Sequence, residues 1–460
     1  MTAQSPTAEV RLLANCVVGL GFSRRGFQLG LEREPHMIGC DSGSTDFGPG
    51  FLGSGKDPKS RLSSERDLSI MIEGALSIGA PLIIGTCGGA GGAPHLAGTA
   101  EMVASLVRAN GRKARVALIH ADLDTAYLHR KLDEGRIRSF GPVPPLTHKA
   151  IDESAAIVAM MGAKPLIAAL DAGADIVLAG RCADPAIYAA QALRLGIPPG
   201  PAWHAAKSID KGYLATTEPA IGSPVLATIT AEGFVVEPML SNATCTIDSV
   251  ARITMHENPD PFAIMQPAGA IATRDALYEQ IDARRVRVTG SRFDVAAQPT
   301  VKLEGARLVG FRAVMIAGLR DPRLLERLDE FLVAYRELLD RVVASLGIRP
   351  EQWSVRLRPY GHNAILGDIE PLLSIPAREV GLVVDVVAET EDMAVAIAGR
   401  SAATGSRLDF TGRLGGGGNF AYPFSPNVLR GGAVYDWSVW HLLDLDDESE
   451  PFRLEIREVG

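Results

Sequence analysis

Nothing in this 460-residue chain concentrates positive charge. Lysine and arginine number 46 against 54 aspartates and glutamates, the net charge is −8, and the basic residues are scattered. A main partner such as nucleic acid or an anionic membrane surface calls for a basic face, so both are excluded. Long apolar runs are missing too: none approaches the roughly 20 residues that cross a bilayer. The opening MTAQSPTAEVRLLANCVVGLGF has no basic segment ahead of its apolar run, which argues against a secretory signal. Cysteines are few and odd in number (Cys16, Cys40, Cys87, Cys182, Cys245), and no two form a CxxC pair. That usage predicts reduced thiols and a cytoplasmic setting rather than a disulfide framework.

What is present is an ordinary globular composition, 47% apolar and 22% charged, over a length that suggests two cores. In the first 200 residues, RLLANCVVGL, PHMIGC, PLIIGT, ARVALIH and ADIVLAG have the continuous apolar character of buried parallel strands. Amphipathic stretches such as SSERDLSIMIEGALSIG and DPAIYAAQALRLG alternate with them, with Ser64 and Gly79 as start and stop signals for the first. The expected fold is α/β: a doubly wound, mostly parallel sheet domain over residues 1–210. A Pro- and Gly-rich stretch then leads to a smaller α+β domain over 211–460 that closes a cleft.

Ligands of open parallel sheets bind outside the carboxyl ends of the strands. Polar groups collect at four such ends: Asp41, Ser42, Ser44, Thr45 and Asp46 after PHMIGC; Thr86 and Cys87 after PLIIG; His120, Asp122 and Asp124 after ARVALI; and Arg181, Cys182 and Asp184 after ADIVLAG. The carboxylates Asp41, Asp46 and Asp184, with His120, are candidates for acid/base work. Ser42 and Ser44 are candidate substrate contacts. Arg181, at the end of a strand too apolar to hold it mid-sheet, suits a bidentate grip on a carboxylate or phosphate. A structural pair with Asp184 or Asp46 is the competing reading. The DSGSTD oxygens would also suit a hard cation such as Mg²⁺.

The run TCGGAGGAP leaves three readings open. Gly88, Gly89, Gly91 and Gly92 could cradle an anion with their amides ahead of a helix beginning near His95. Cys87 could be a nucleophile. The run could equally be a close-packed turn. No lysine follows it as a Walker loop requires, and VGLGFSRRG lacks the third glycine of a dinucleotide fingerprint, so neither NAD nor a nucleotide is expected. Cys40, Cys87 and Cys182 share strand ends, which admits a thiolate metal site, though packing is the commoner use. Glu237, Asn242, Cys245, Asp248, His256, His362 and Asn363 are further polar candidates beyond residue 210.

The stretches CDSGSTDFGPGFLGSG, RDLSIMIEGALSIGAPLIIGTCGGAGG, GADIVLAGRCADPAIYAAQAL and NFAYPFSPN resemble the acyclic terpene utilisation (AtuA-like) family over nearly the whole chain. The resemblance implies a place in the breakdown of branched acids through acyl-CoA intermediates. With the strand-end residues it leads to an expected lyase, a hydratase or dehydratase acting on a small carboxylate or acyl-CoA. The expected partners are that small anionic substrate and further copies of the chain. A Cys87- or Ser42-dependent hydrolase and a non-catalytic binding subunit are the alternatives.

Overall fold

The computed structural model describes residues 9–15, 17–217, 222–372 and 377–460. Cys16 lies outside them. The apolar runs of the first half form strands Val10–Ala14, Met37–Gly43, Leu82–Gly89, Ala114–His120 and Ile176–Ala179. They lie parallel, in the spatial order Val10–Ala14, Met37–Gly43, Leu82–Gly89, Ile176–Ala179, Ala114–His120. Alternate residues serve two cores. Leu82 and Ile84 meet Leu68, Met71 and Val103 of helices Arg61–Ile78 and Ala93–Ala109 on one face. Ile83 belongs with Leu166, Ala186 and Tyr188 of helices Ala163–Asp171 and Asp184–Arg194 on the other. Burial on both faces is why these strands carry no polar alternation.

The sheet does not stop at residue 210. Val225–Ile229 adds antiparallel to Val10–Ala14, Gly233–Pro238 and Val286–Thr289 extend that edge, and Arg453–Val459 adds antiparallel to Ala114–His120. Ten strands result. The chain divides into two compact units: the described residues up to Arg307 with Trp437–Gly460, and Leu308–Asp436. The division expected at 210 is therefore replaced by one at Arg307. The Pro/Gly-rich stretch that suggested a boundary includes helix Pro199–Ile209, buried beneath the same sheet. In the second unit, antiparallel strands Trp353–Tyr360, Val380–Ala388 and the 311–319 part of Thr300–Leu319 pair in sequence. Helices Leu328–Ala344 and Glu391–Arg407 bury Phe331, Tyr335, Leu339 and Ile397 in its core. Among the described residues no helix is long and apolar enough to cross a membrane.

Two local expectations shift. Helix Arg61–Ile78 begins after Ser60, so Ser64 is a buried interior residue, while Gly79 does end the helix in a left-handed conformation. Asp67 points back: its Oδ2 accepts from Gly19 N at 2.9 Å and Gly21 N at 3.0 Å. The first glycine loop thus holds a carboxylate of its own chain.

Candidate active site

Met37–Gly43 delivers Asp41 to the carboxyl end of the sheet, where it is buried. Its Oδ1 accepts from Gly43 N at 3.1 Å and its Oδ2 from Lys211 Nζ at 3.1 Å. The same ammonium lies 2.7 Å from Asp184 Oδ2. Two carboxylates expected from the sequence are therefore brought together, and by a lysine that strand-end reasoning missed. Burial pushes the Asp41 carboxyl up to about 6, the negative charge of Asp184 adds to this, and Lys211 offsets part of it. Burial works against the Lys211 charge, but Asp41 and Asp184 outweigh it and raise its pKa. The signal was there to read: WHAAKSIDKG sets Lys207, Asp210 and Lys211 within an otherwise apolar segment. Such charges need partners when buried. Lys207 Nζ bonds Asp210 Oδ2 at 3.0 Å, and both are buried. Asp210 Oδ1 has no hydrogen-bond partner among the described residues.

Arg181 is paired, but with neither of the expected carboxylates. Its Nε donates to Glu304 Oε2 at 2.7 Å, and Glu304 Oε1 accepts from Thr45 Oγ1 at 2.8 Å and pairs with Lys302. Glu304 is fully buried; burial alone would raise its carboxyl, yet Arg181 and Lys302 hold it at about 2. Sequence reasoning missed Glu304, because PTVKLEGARLVG reads as a plain strand and its partner is 123 residues away.

A cavity of about 230 Å³ opens over these groups, lined by Arg181, Asp184, Lys207, Asp210 and Lys302 among others. Every lining residue belongs to the first unit. Ser44 and Asp46 also line it, with Ser44 Oγ donating to Asp46 Oδ2 at 2.5 Å. Ser42 is turned away to Lys59, whose Nζ donates to its carbonyl and lies 3.4 Å from its Oγ. His120 is placed elsewhere too: its Nε2 faces Glu455 Oε2 at 3.4 Å and Arg453 Nη2 at 2.9 Å, on the added antiparallel strand.

The glycine run lies at the carboxyl end of Leu82–Gly89, with Gly92 capping helix Ala93–Ala109. Packing accounts for its composition. Gly89 has φ 106°, and a Cβ there would stand 2.4 Å from Pro58 Cδ. At Gly91, φ is 71° and a Cβ would stand 2.3 Å from the Arg181 backbone nitrogen. Gly88 is pressed likewise against His95, and the Gly91 N–H is taken by Cys87 O at 3.1 Å. These contacts support the close-packed turn, not an anion cradle. Thr86, fully buried at φ 44°, exchanges hydrogen bonds through its hydroxyl with the Cys182 backbone, both at 3.2 Å. A β-branched residue in that conformation is strained. Cys87 is fully buried, burial lifts its thiol to about 12, and its Sγ donates to Ile84 O at 3.6 Å, all unsuited to a nucleophile. Cys182 donates to its neighbour's carbonyl at 3.4 Å. Among the described residues no three His, Cys, Asp or Glu side chains converge as a metal site.

Residues 86–194 match the family model described as acyclic terpene utilisation family protein AtuA. The family likeness is thereby shown over that stretch, which supplies Arg181 and Asp184; Asp41, Lys211 and Glu304 come from outside it. No curated protein and no solved structure matched the chain.

Proposed function

Proceeding from the AtuA match, we propose that the chain is an enzyme that binds a small carboxylate in the cavity at the strand ends and moves a proton through Asp184. The reaction class is addition or elimination, that of a hydro-lyase. The observation that carries this reading is one cavity exposing Asp184, bridged by Lys211 to the buried Asp41, alongside Lys302 and Arg181. A carboxylate held by the cations places its neighbouring carbon within the reach of a base, which is what proton abstraction needs. The cavity is below the usual range for ligand sites, about 300–1,000 Å³, and this favours a small acid, or only the acyl end of a thioester. The family description supports a branched acid from acyclic terpene utilisation as its source. Buried Cys87, Cys182 and Cys245, with no disulfide among the described residues, favour a cytoplasmic setting.

Solvent exchange tests the proposal without knowledge of the product. Purified protein is incubated in D₂O with short branched, hydroxylated and unsaturated carboxylates and their CoA thioesters, and followed by proton NMR. Deuterium should enter next to the carboxyl carbon of at least one, and Asp184→Asn should slow it by at least about 10²-fold. Exchange that continues at a comparable rate in a folded Asp184→Asn protein, or exchange with none of the set, would count against the assignment.

A further inference from the structure

The cavity is not a simple anion trap. Arg181 and Lys302 share a single carboxylate, Glu304, which leaves one positive charge in surplus on that side. Asp41 and Asp184 share a single ammonium, Lys211, which leaves one negative charge in surplus on the other. Lys207 and Asp210 balance one another, and Asp46 and Glu257, which also line the cavity, add further negative charge. Asp210, 2% exposed, also lines the cavity, and its Oδ1, itself buried, has no hydrogen-bond partner among the described residues. An ionised carboxylate oxygen only accepts hydrogen bonds, and leaving one buried without a donor is costly. A plain carboxylate would answer the cationic side and repel the other.

We propose that the ligand of this cavity is a small carboxylate carrying a hydrogen-bond donor, a hydroxyl or an ammonium, a few bonds from its carboxyl group. This rests on the carboxylate reading above and narrows it. The carboxylate meets Lys302 and Arg181. The donor meets Asp210 Oδ1 on the side where Asp184 and Asp41 hold the surplus negative charge. A site built to accept from a ligand donor discriminates strongly against the analogue that lacks it, because its own buried acceptor is then left unpaired.

Three probes of nearly equal size decide the matter: butanoate, 3-hydroxybutanoate and 3-aminobutanoate, with affinities measured by titration calorimetry on the full chain. At least one donor-bearing acid should bind about tenfold or more tighter than butanoate. Lys302→Met should weaken that acid's binding, which locates it in this cavity. Asp210→Asn should shrink the ratio, with its melting curve recorded alongside because its partner Lys207 is buried. Equal or tighter binding of butanoate by the unaltered protein would overturn the proposal, as would failure of all three to bind. Indifference of the donor-bearing acid to Lys302→Met would do the same. The two readings fail separately. Selective binding without Asp184-dependent exchange would sink the reaction and leave the ligand class standing; exchange confined to acids without a donor would do the reverse.

Discussion

Arg181 donates from Nε to Glu304 Oε2 at 2.7 Å, with the guanidinium side chain 7% exposed and the carboxylate fully buried. The pair ties the end of Ile176–Ala179 to the 300–306 stretch, so it bears on the fold before it bears on any ligand. Removing one member of a buried pair strands the other, at a cost of about 3–5 kcal/mol. Glu304→Gln and Arg181→Ala should each lose stability on that scale in chemical denaturation. Because they share one interaction, the double variant should lose less than the sum of the two. An unaltered denaturation midpoint in Arg181→Ala would show that the guanidinium serves the cavity alone.

Lys211 stands between two carboxylates, 3.1 Å from one and 2.7 Å from the other. Asp184→Asn should lower the exchange rate by about 10²–10⁴-fold, the usual worth of a positioned acid or base. Lys211→Met removes the cation that holds the Asp41 carboxyl down. Its residual activity should therefore need a higher pH, and Lys211→Arg should restore part of the original profile. A rate–pH curve unchanged in position in Lys211→Met would separate Lys211 from the proton transfer.

Asp41 gives stability an unusual pH dependence. In the unfolded chain it titrates near 3.9, and in the fold burial lifts it to about 6. Between those values the folded state holds the extra proton, so rising pH favours unfolding. Below about 4 and above about 6 the two states bind protons equally, and this contribution is flat. Asp41 should thus withdraw up to about 3 kcal/mol between pH 4 and 6. Denaturation at a series of pH values should show that decline in the natural protein and its absence in Asp41→Asn.

The glycine run should respond as packing. Gly91→Ala places a Cβ 2.3 Å from the Arg181 backbone at φ 71°, where neither the turn nor the strand end can yield cheaply. It should lower the melting temperature and the yield of folded protein, and ligand affinity should fall only with the folded fraction. Cys87→Ser should keep most of its activity, since the thiol is buried and far from ionising. Near-complete inactivity in a well-folded Cys87→Ser protein would revive covalent catalysis.

The sequence by itself determined the parallel sheet, its helices and the strand ends at which chemistry collects. These follow from local pattern: PLIIG and ADIVLAG are apolar on both faces, and only a sheet covered on both sides accepts that. It also placed Asp41 and Asp184 among the acid/base candidates, and the fold brings them to one ammonium. Only the tertiary structure decided the partners. Glu304 reaches Arg181 across 123 residues, and Lys211 reaches Asp41 across 170. No periodicity encodes those separations, because a charge is matched by whichever opposite charge the strand order brings near. Residues 225–229 likewise joined the first sheet, since an antiparallel edge strand needs only an open edge of backbone N–H and C=O groups to complete. His120 and Ser42 carried suitable chemistry, yet the same strand order turned them toward Glu455 and Lys59.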